Sequence, residues 1–425
     1  MKLIDLNIIY KEVTLNNGTR LFLFNKKGSP ITIRIVFWAG ARFGEIPGLS
    51  HFTEHLLVSG TENYPTKDKL SARLENIGGY FSAKTGSDFL SFDINIADQQ
   101  DLPVAFEIID EILHKSKFEP NNIENERKAI LSEISKKVFN PGQNIFDVFR
   151  KVLYQNTRLE QPVLGTPESV SAISNEDLTS YYKDNIFSTK PTIFIAGDFS
   201  EDEVVESLNN VLKNNTKIQE IPTAPLPSFF DKKVEIMKYD GEHLNARIGY
   251  RIGELTLKEK MTLLVIQTIL SKGRSAILTN ELRYKRGLLY EISSSLDFSI
   301  DRGYFSVNFS TNRKRVNEVF NIIKAELLKI KQYGISEEQL SFVKRKILKT
   351  IKFDLQTSHQ IIEYFYEDLM LNDDNNASID NWFDVLNNLS LDEINSVAKT
   401  NIDLEKMVIG ICGSLEENEI LELSR

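Results

Sequence analysis

The sequence of 425 residues predicts an α+β fold of two homologous halves. Each half is expected to be an α/β sandwich, an antiparallel-rich sheet packed with helices, and the pair to arise from an internal duplication. Three observations predict this. Strand-like runs alternate with amphipathic helical ones, a segment of the first half recurs in the second at a constant offset, and a proline-rich connector lies near the midpoint.

The elements follow in chain order. "TRLFLFNKKGSPITIRIVFWAG" reads as two strands around a Gly-Ser-Pro turn, rich in β-branched and aromatic residues. A short helical segment, "GLSHFTEHLLVSGTENYP", comes next. A helix over "KDKLSARLENIGG" then stops at Gly78 and Gly79. "YFSAKTGSDFLSFDINIA" returns to strand alternation. "DLPVAFEIIDEILHKS" and "NNIENERKAILSEISKKV" carry apolar residues at three- and four-residue spacing and read as amphipathic helices.

The duplication rests on two segments. The one starting at Ser180 and the one starting at Ser396 align without a gap at an offset of 216 residues. Polar matches at that single offset include Ser180/Ser396, Lys183/Lys399, Asn185/Asn401, Lys190/Lys406, Glu201/Glu417 and Glu203/Glu419, with Gly197/Gly413 closing the strand. A shared strand–helix grammar explains matched apolar residues but not matched polar ones. Between the halves, "IQEIPTAPLPSFFDKK" has three prolines in six residues and reads as a semi-rigid connector. The expected domains are therefore 1–217 and 234–425, joined by a linker over 218–233.

Composition is that of a soluble globular protein, 41% hydrophobic and 26% charged. The net charge of −9 argues against nucleic acid as the main partner. The single cysteine, Cys412, excludes an intramolecular disulfide and a thiolate zinc site, and in "MVIGICGS" it reads as a small core residue. No run reaches the length of a membrane span. "MKLIDLNIIYKEV" lacks the pattern of a signal or transit peptide, so the expectation is a cytoplasmic protein.

The chemistry concentrates in "HFTEH". His51 and His55 stand one helical turn apart, so two imidazole nitrogens can converge on one ion. Glu54 projects to the same side and can hold a water there and take its proton. The order is the reverse of H-E-x-x-H, yet the same three groups are placed together. The plainer alternative is a helix with a satisfied histidine pair. With five histidines in the chain, a chance H-x-x-E-H has a probability on the order of one in a few hundred. A catalytic zinc ordinarily has three protein ligands. "NNIENERKAILSEISKK" offers Glu124, Glu126 and Glu133; Glu126 and Glu133 are seven apart, two turns, so both face the same way, and spacing alone does not choose between them.

"GLSHFTEHLLVSGTENYP" followed by "ENERKAILSEI" resembles the pitrilysin/insulinase family of zinc metallopeptidases. The resemblance implies that His51, His55 and Glu133 bind Zn2+, that Glu54 is the general base, and that Glu126 supports the site without ligating. "GGYFSAKTGSDFLSFDI" resembles the family's active-site edge strand, which implies substrate pairing at Ser82, Ala83 and Thr85. Many relatives have Asn where this chain has Ser82. "GRSAILTNELRYKRGLLYEISSS" is similar to the family's Arg/Tyr element and implies substrate-binding roles for Arg283 and Tyr290; Arg286 is a competing candidate whose spacing to Tyr290 fits less well.

Length places the chain with the short, processing-peptidase-like branch. That resemblance implies a zinc endopeptidase acting on peptides or unfolded segments in a chamber formed by two two-domain chains, as a homodimer or heterodimer. Two rivals remain: a maturation protease dedicated to a leader peptide or presequence, and a non-catalytic structural subunit.

Overall fold

The computed structural model describes residues 2–3, 7–222, 230–299, 302–371, 379–416, 419–420 and 423. Of the expected linker over 218–233, residues 223–229 lie outside the described residues. The chain forms two compact units. The first comprises residues 1–135, 162–222 and 351–373; the second comprises 136–161, 223–350 and 374–425.

The first unit is built on a seven-stranded sheet. Its strands are β1 (Lys2–Leu3), β2 (Ile8–Thr14), β3 (Arg20–Lys26), β4 (Ile31–Phe37), β5 (Tyr80–Thr85), β6 (Leu90–Ile96) and β7 (Thr192–Gly197), in the order β1-β2-β3-β7-β4-β6-β5. The two strands around the Gly-Ser-Pro turn both form, but β7 lies between them, parallel to β3 and antiparallel to β4. β4 and β6 are buried along their whole length even though polar residues alternate with apolar ones, so Thr32, Arg34, Ser91, Asp93 and Asn95 are buried as well. Ile33, Ile35, Phe92 and Ile94 pack with Ile108, Ile109 and Ile112 of the helix Leu102–His114.

A cluster of rings builds further packing in this unit. Phe22 stacks on Phe194 at 4.9 Å between centroids, Phe24 on Phe365 at 5.8 Å, and Phe194 meets Tyr366 edge-on at 6.3 Å. Phe365 and Tyr366 belong to the helix Ser358–Leu371, which comes from the second half of the sequence.

The second unit has five strands: β8 (Val234–Met237), β9 (His243–Ile252), β10 (Leu289–Phe298), β11 (Gly303–Asn312) and β12 (Val408–Cys412), in the order β10-β11-β9-β12-β8. Reversed, this is β8-β12-β9-β11-β10, which matches β3-β7-β4-β6-β5 of the first unit position by position. The directions match too: one parallel pair, β12 with β8, answers β3 with β7, and the remaining pairs are antiparallel in both sheets. β7 and β12 start at residues 192 and 408, the offset of the aligned segments. Duplication is therefore a property of the fold. In this unit the helix Pro141–Leu153, from the first half of the sequence, lies against β12, β9 and β8. Among the described residues no helix is long and apolar enough to cross a membrane.

Candidate metal centre

The histidine motif lies on the helix Leu49–Leu57. Its entry needs a glycine: Gly48 has φ of +90°, and a Cβ there would meet the Leu164 carbonyl oxygen at 2.8 Å. Leu49, Phe52 and Leu56 form one apolar stripe, packed with Ile123, Ile130 and Ile134 of the helix Pro120–Val138. Glu126 and Glu133 fall on the same side of that second helix as the isoleucines, at three- and four-residue spacings. Packing the two stripes therefore carries both glutamates toward the histidines. Glu124 falls off that stripe and pairs at 3.1 Å with Arg127.

Three of the predicted residues are brought together. His51, His55 and Glu133 each offer a ligand atom, all within 4.8 Å of one another. Glu133 Oε2 lies 3.9 Å from Nε2 of His51 and 3.9 Å from Nε2 of His55. The two imidazole rings are 4.7 Å apart between centroids. Donors arranged tetrahedrally about 2.1 Å from a zinc ion are about 3.4 Å from one another. The set here is wider, at 3.9 Å from the carboxylate to each imidazole and within 4.8 Å throughout, so side-chain shifts of roughly 0.5 to 1.4 Å close it on an ion. Two imidazoles and one carboxylate also suit zinc chemically.

Glu126 is placed behind that set. Its Oε2 is 2.9 Å from His55 Nδ1, which leaves Nε2 of the same ring directed to Glu133. A carboxylate on the far nitrogen of a ligand histidine fixes the tautomer and the ring orientation. Burial pushes the Glu126 carboxyl upward, but the His55 hydrogen bond and charge outweigh this and hold it below its ordinary value.

Glu54 is buried, at 9% exposure. One carboxylate oxygen accepts a hydrogen bond from the Thr85 hydroxyl. Burial raises the Glu54 carboxyl above its ordinary value; the Thr85 bond and the His55 charge oppose the rise, and the negative charge of Glu133 adds to it. Thr85 was expected to act through its backbone; the side-chain bond to Glu54 is visible only in three dimensions. Lys67, at the start of the helix Lys67–Glu75, was also missed. Its charge favours the ionised forms of Glu54 and Glu126. A cation opening the next helix after the motif was the available signal.

Ser82, Ala83 and Thr85 lie on β5, the last strand of the sheet order, whose partner is β6. Ala83 faces the core with Phe81, and Ser82 is exposed. In the second unit, Arg283 lies on the π-helical turn Thr279–Lys285 and Tyr290 on β10. The Arg283 guanidinium stands 4.8 Å from the Tyr290 ring centroid. Arg286 instead faces Glu281 at 4.0 Å.

Comparison with known proteins gives concordant matches. The family described as "Insulinase (Peptidase family M16)" matches residues 23–167, and that described as "Peptidase M16 inactive domain" matches residues 172–347. An uncharacterized zinc protease of Streptomyces coelicolor is 26% identical over 300 residues, covering 69% of this chain and 65% of that protein, so the chain spans just under two thirds of it. An uncharacterized zinc protease of Bacillus subtilis is 23% identical over 92% of this chain and 95% of its own. A probable mitochondrial-processing peptidase subunit beta of Arabidopsis thaliana is 27% identical over 76% of this chain and 61% of its own. The crystal structure of a peptidase M16 inactive domain from Pseudomonas fluorescens superposes with a TM-score of 0.86 over 96% of this chain and 98% of its own, at 16% identity, a likeness of fold.

Proposed function

The chain belongs to the pitrilysin/insulinase (M16) family of peptidases, and on that premise we propose that it is a zinc-dependent endopeptidase. The observation that carries this reading is the convergence of His51, His55 and Glu133 with a buried acid, Glu54, beside them. His51, His55 and Glu133 hold the ion, and Glu126 orients His55. When bound, zinc supplies Lewis acidity toward the scissile carbonyl and the attacking water. Glu54 takes the proton of that water and passes it to the leaving amine. Its raised proton affinity suits a group that accepts and then donates. The Thr85 hydroxyl holds the carboxylate in one orientation meanwhile.

Among the described residues β5 has a strand partner on one side only, and an extended peptide adds to its other edge as a further strand, through Ser82, Ala83 and Thr85. Arg283 and Tyr290 serve as hydrogen-bond donors to the substrate and to the charge that develops on its carbonyl oxygen. Two chains, alike or related, enclose the chamber in which peptides or unfolded segments are cut.

A second reading is favoured by the likeness to a processing-peptidase beta subunit: a maturation protease that removes a leader or presequence with a partner chain. A mixed peptide pool incubated with the purified chain, with and without a chelator, tests the proposal. The endopeptidase reading expects internal cleavages that the chelator stops. Cleavage unaffected by chelation, or none with any candidate partner present, contradicts it.

A further inference from the structure

The second unit contains a cavity of about 350 Å³ beside β10 and the turn Thr279–Lys285. That size suits one side chain with its flanking backbone. Its wall mixes apolar and polar groups and carries two guanidinium groups, Arg274 and Arg283, against one carboxylate, Glu291. The surplus is positive, in a chain whose formal charge is −9. Neither guanidinium has a carboxylate partner among the described residues; Arg283 stands over the Tyr290 ring instead. Asn308 also lines the cavity, and its Oδ1 is buried without a hydrogen-bond partner among the described residues. A buried amide oxygen left in this way calls for a donor.

Arg274 sits on a held turn. Gly273 has φ of +99°, and a Cβ there would lie 2.9 Å from the Lys346 ammonium. That ammonium donates to the Lys272 carbonyl, which braces the turn and adds positive potential beside it. A guanidinium on a fixed backbone meets a planar carboxylate through two parallel hydrogen bonds.

We propose that this cavity recognises a carboxylate on the substrate peptide, with Arg274 as its ligand and Asn308 Oδ1 accepting a peptide N–H beside it. A glutamate or aspartate side chain and a free C-terminus share this chemistry. The inference rests on the peptidase reading for the identity of its ligand as a peptide. It names what distinguishes one peptide from another, which Arg283 and Tyr290 as backbone donors do not.

The test uses the full chain carrying Glu54→Gln, so that binding is read without turnover. Four fluorescent decapeptides, otherwise neutral, carry Glu or Gln at one internal position and end in a free or an amidated carboxyl. Anisotropy titrations should show about tenfold tighter binding of one carboxylate-bearing form over the Gln, amidated peptide. The gap should narrow as salt rises. Which carboxylate carries the gap tells side chain from terminus. Adding Arg274→Met should bring the ratio near one, and Arg274→Glu should reverse it toward a lysine peptide. Equal binding of all four peptides, or a preference that survives Arg274→Met, overturns the proposal. Lack of peptide cleavage by the unmutated chain would instead count against the peptidase reading and leave these titrations interpretable.

Discussion

At the scale of single residues, the site separates two glutamates that look alike in sequence. Glu126 and Glu133 are seven apart on one helix face, and spacing left both open as ligands. The structure gives them different partners: Glu133 Oε2 faces both imidazole Nε2 atoms, and Glu126 Oε2 meets His55 Nδ1. The difference arises from which turn of the helix Pro120–Val138 comes to lie beside each imidazole nitrogen once its isoleucines pack with Leu49, Phe52 and Leu56, and no sequence period encodes that. Glu126→Gln keeps the size of the side chain and removes its charge. It should lower zinc affinity about ten- to hundredfold, read by competition with a chelating dye, while the fold stays intact. Unchanged affinity would mean that Glu126 does not orient His55.

At the scale of elements, strands and helices were legible and their partners were not. Hydrophobic alternation marks β5 and β6, and three- and four-residue spacing marks the helices. Nothing local in β3 and β4 says that β7, more than 150 residues later, lies between them. Nor does an amphipathic helix show which sheet it covers. Ser358–Leu371 packs in the first unit, where Arg34 of β4 ties it down. Arg34 pairs with Asp93 at 2.6 Å, bonds Glu363 of that helix, and lies 4.6 Å from the Tyr366 ring centroid. At the matching register position in the second unit, Arg247 faces Asn308 across the strands and is surrounded by Phe146, Phe149 and Tyr304. One copy satisfies its buried guanidinium with carboxylates and the other with aromatic rings and a hydrogen bond to the Ser306 hydroxyl at 3.0 Å.

The Glu363 contact sets a pH dependence. Burial raises its carboxyl, but Arg34 and then Lys84 outweigh burial and hold it below its ordinary value of 4.5. A depressed carboxyl stabilises the folded chain above that ordinary value. The contribution fades as pH falls through 4.5 and then through the folded value. Half-exposure of the side chain keeps the effect small. Thermal melts of the chain and of Glu363→Gln should differ at pH 7 and converge as pH drops below the ordinary value of 4.5. A difference that grows on acidification would contradict this assignment.

At the scale of the whole molecule, the two compact units exchange helices. Pro141–Leu153 is coded in the first half and packs on the second sheet, and Ser358–Leu371 does the reverse. Their starts differ by 217 residues, close to the duplication offset, so the exchange is part of the repeat. The duplication itself was legible, because polar matches at one offset survive in the sequence. The exchange was not, since either assignment preserves every apolar pattern. It follows that a fragment of residues 1–217 lacks the helix that covers Phe24 and Phe194. Expressed alone it should bind a hydrophobic dye and melt without a cooperative transition; the same fragment joined through a flexible linker to residues 351–373 should bind less dye. A cooperative, dye-free fragment 1–217 would show the exchanged helix to be dispensable.

The central claim, that His51, His55 and Glu133 hold zinc while Glu54 moves the proton, is tested most directly by metal analysis paired with peptide cleavage on three purified proteins. The unmutated chain should carry one zinc per chain and cleave. Glu54→Gln should carry the same zinc with its rate reduced at least a hundredfold, roughly the smallest loss expected on removing a general base. His51→Ala should lose both. An unmutated chain without stoichiometric zinc, or a Glu54→Gln protein that loses its metal together with its activity, would contradict the account.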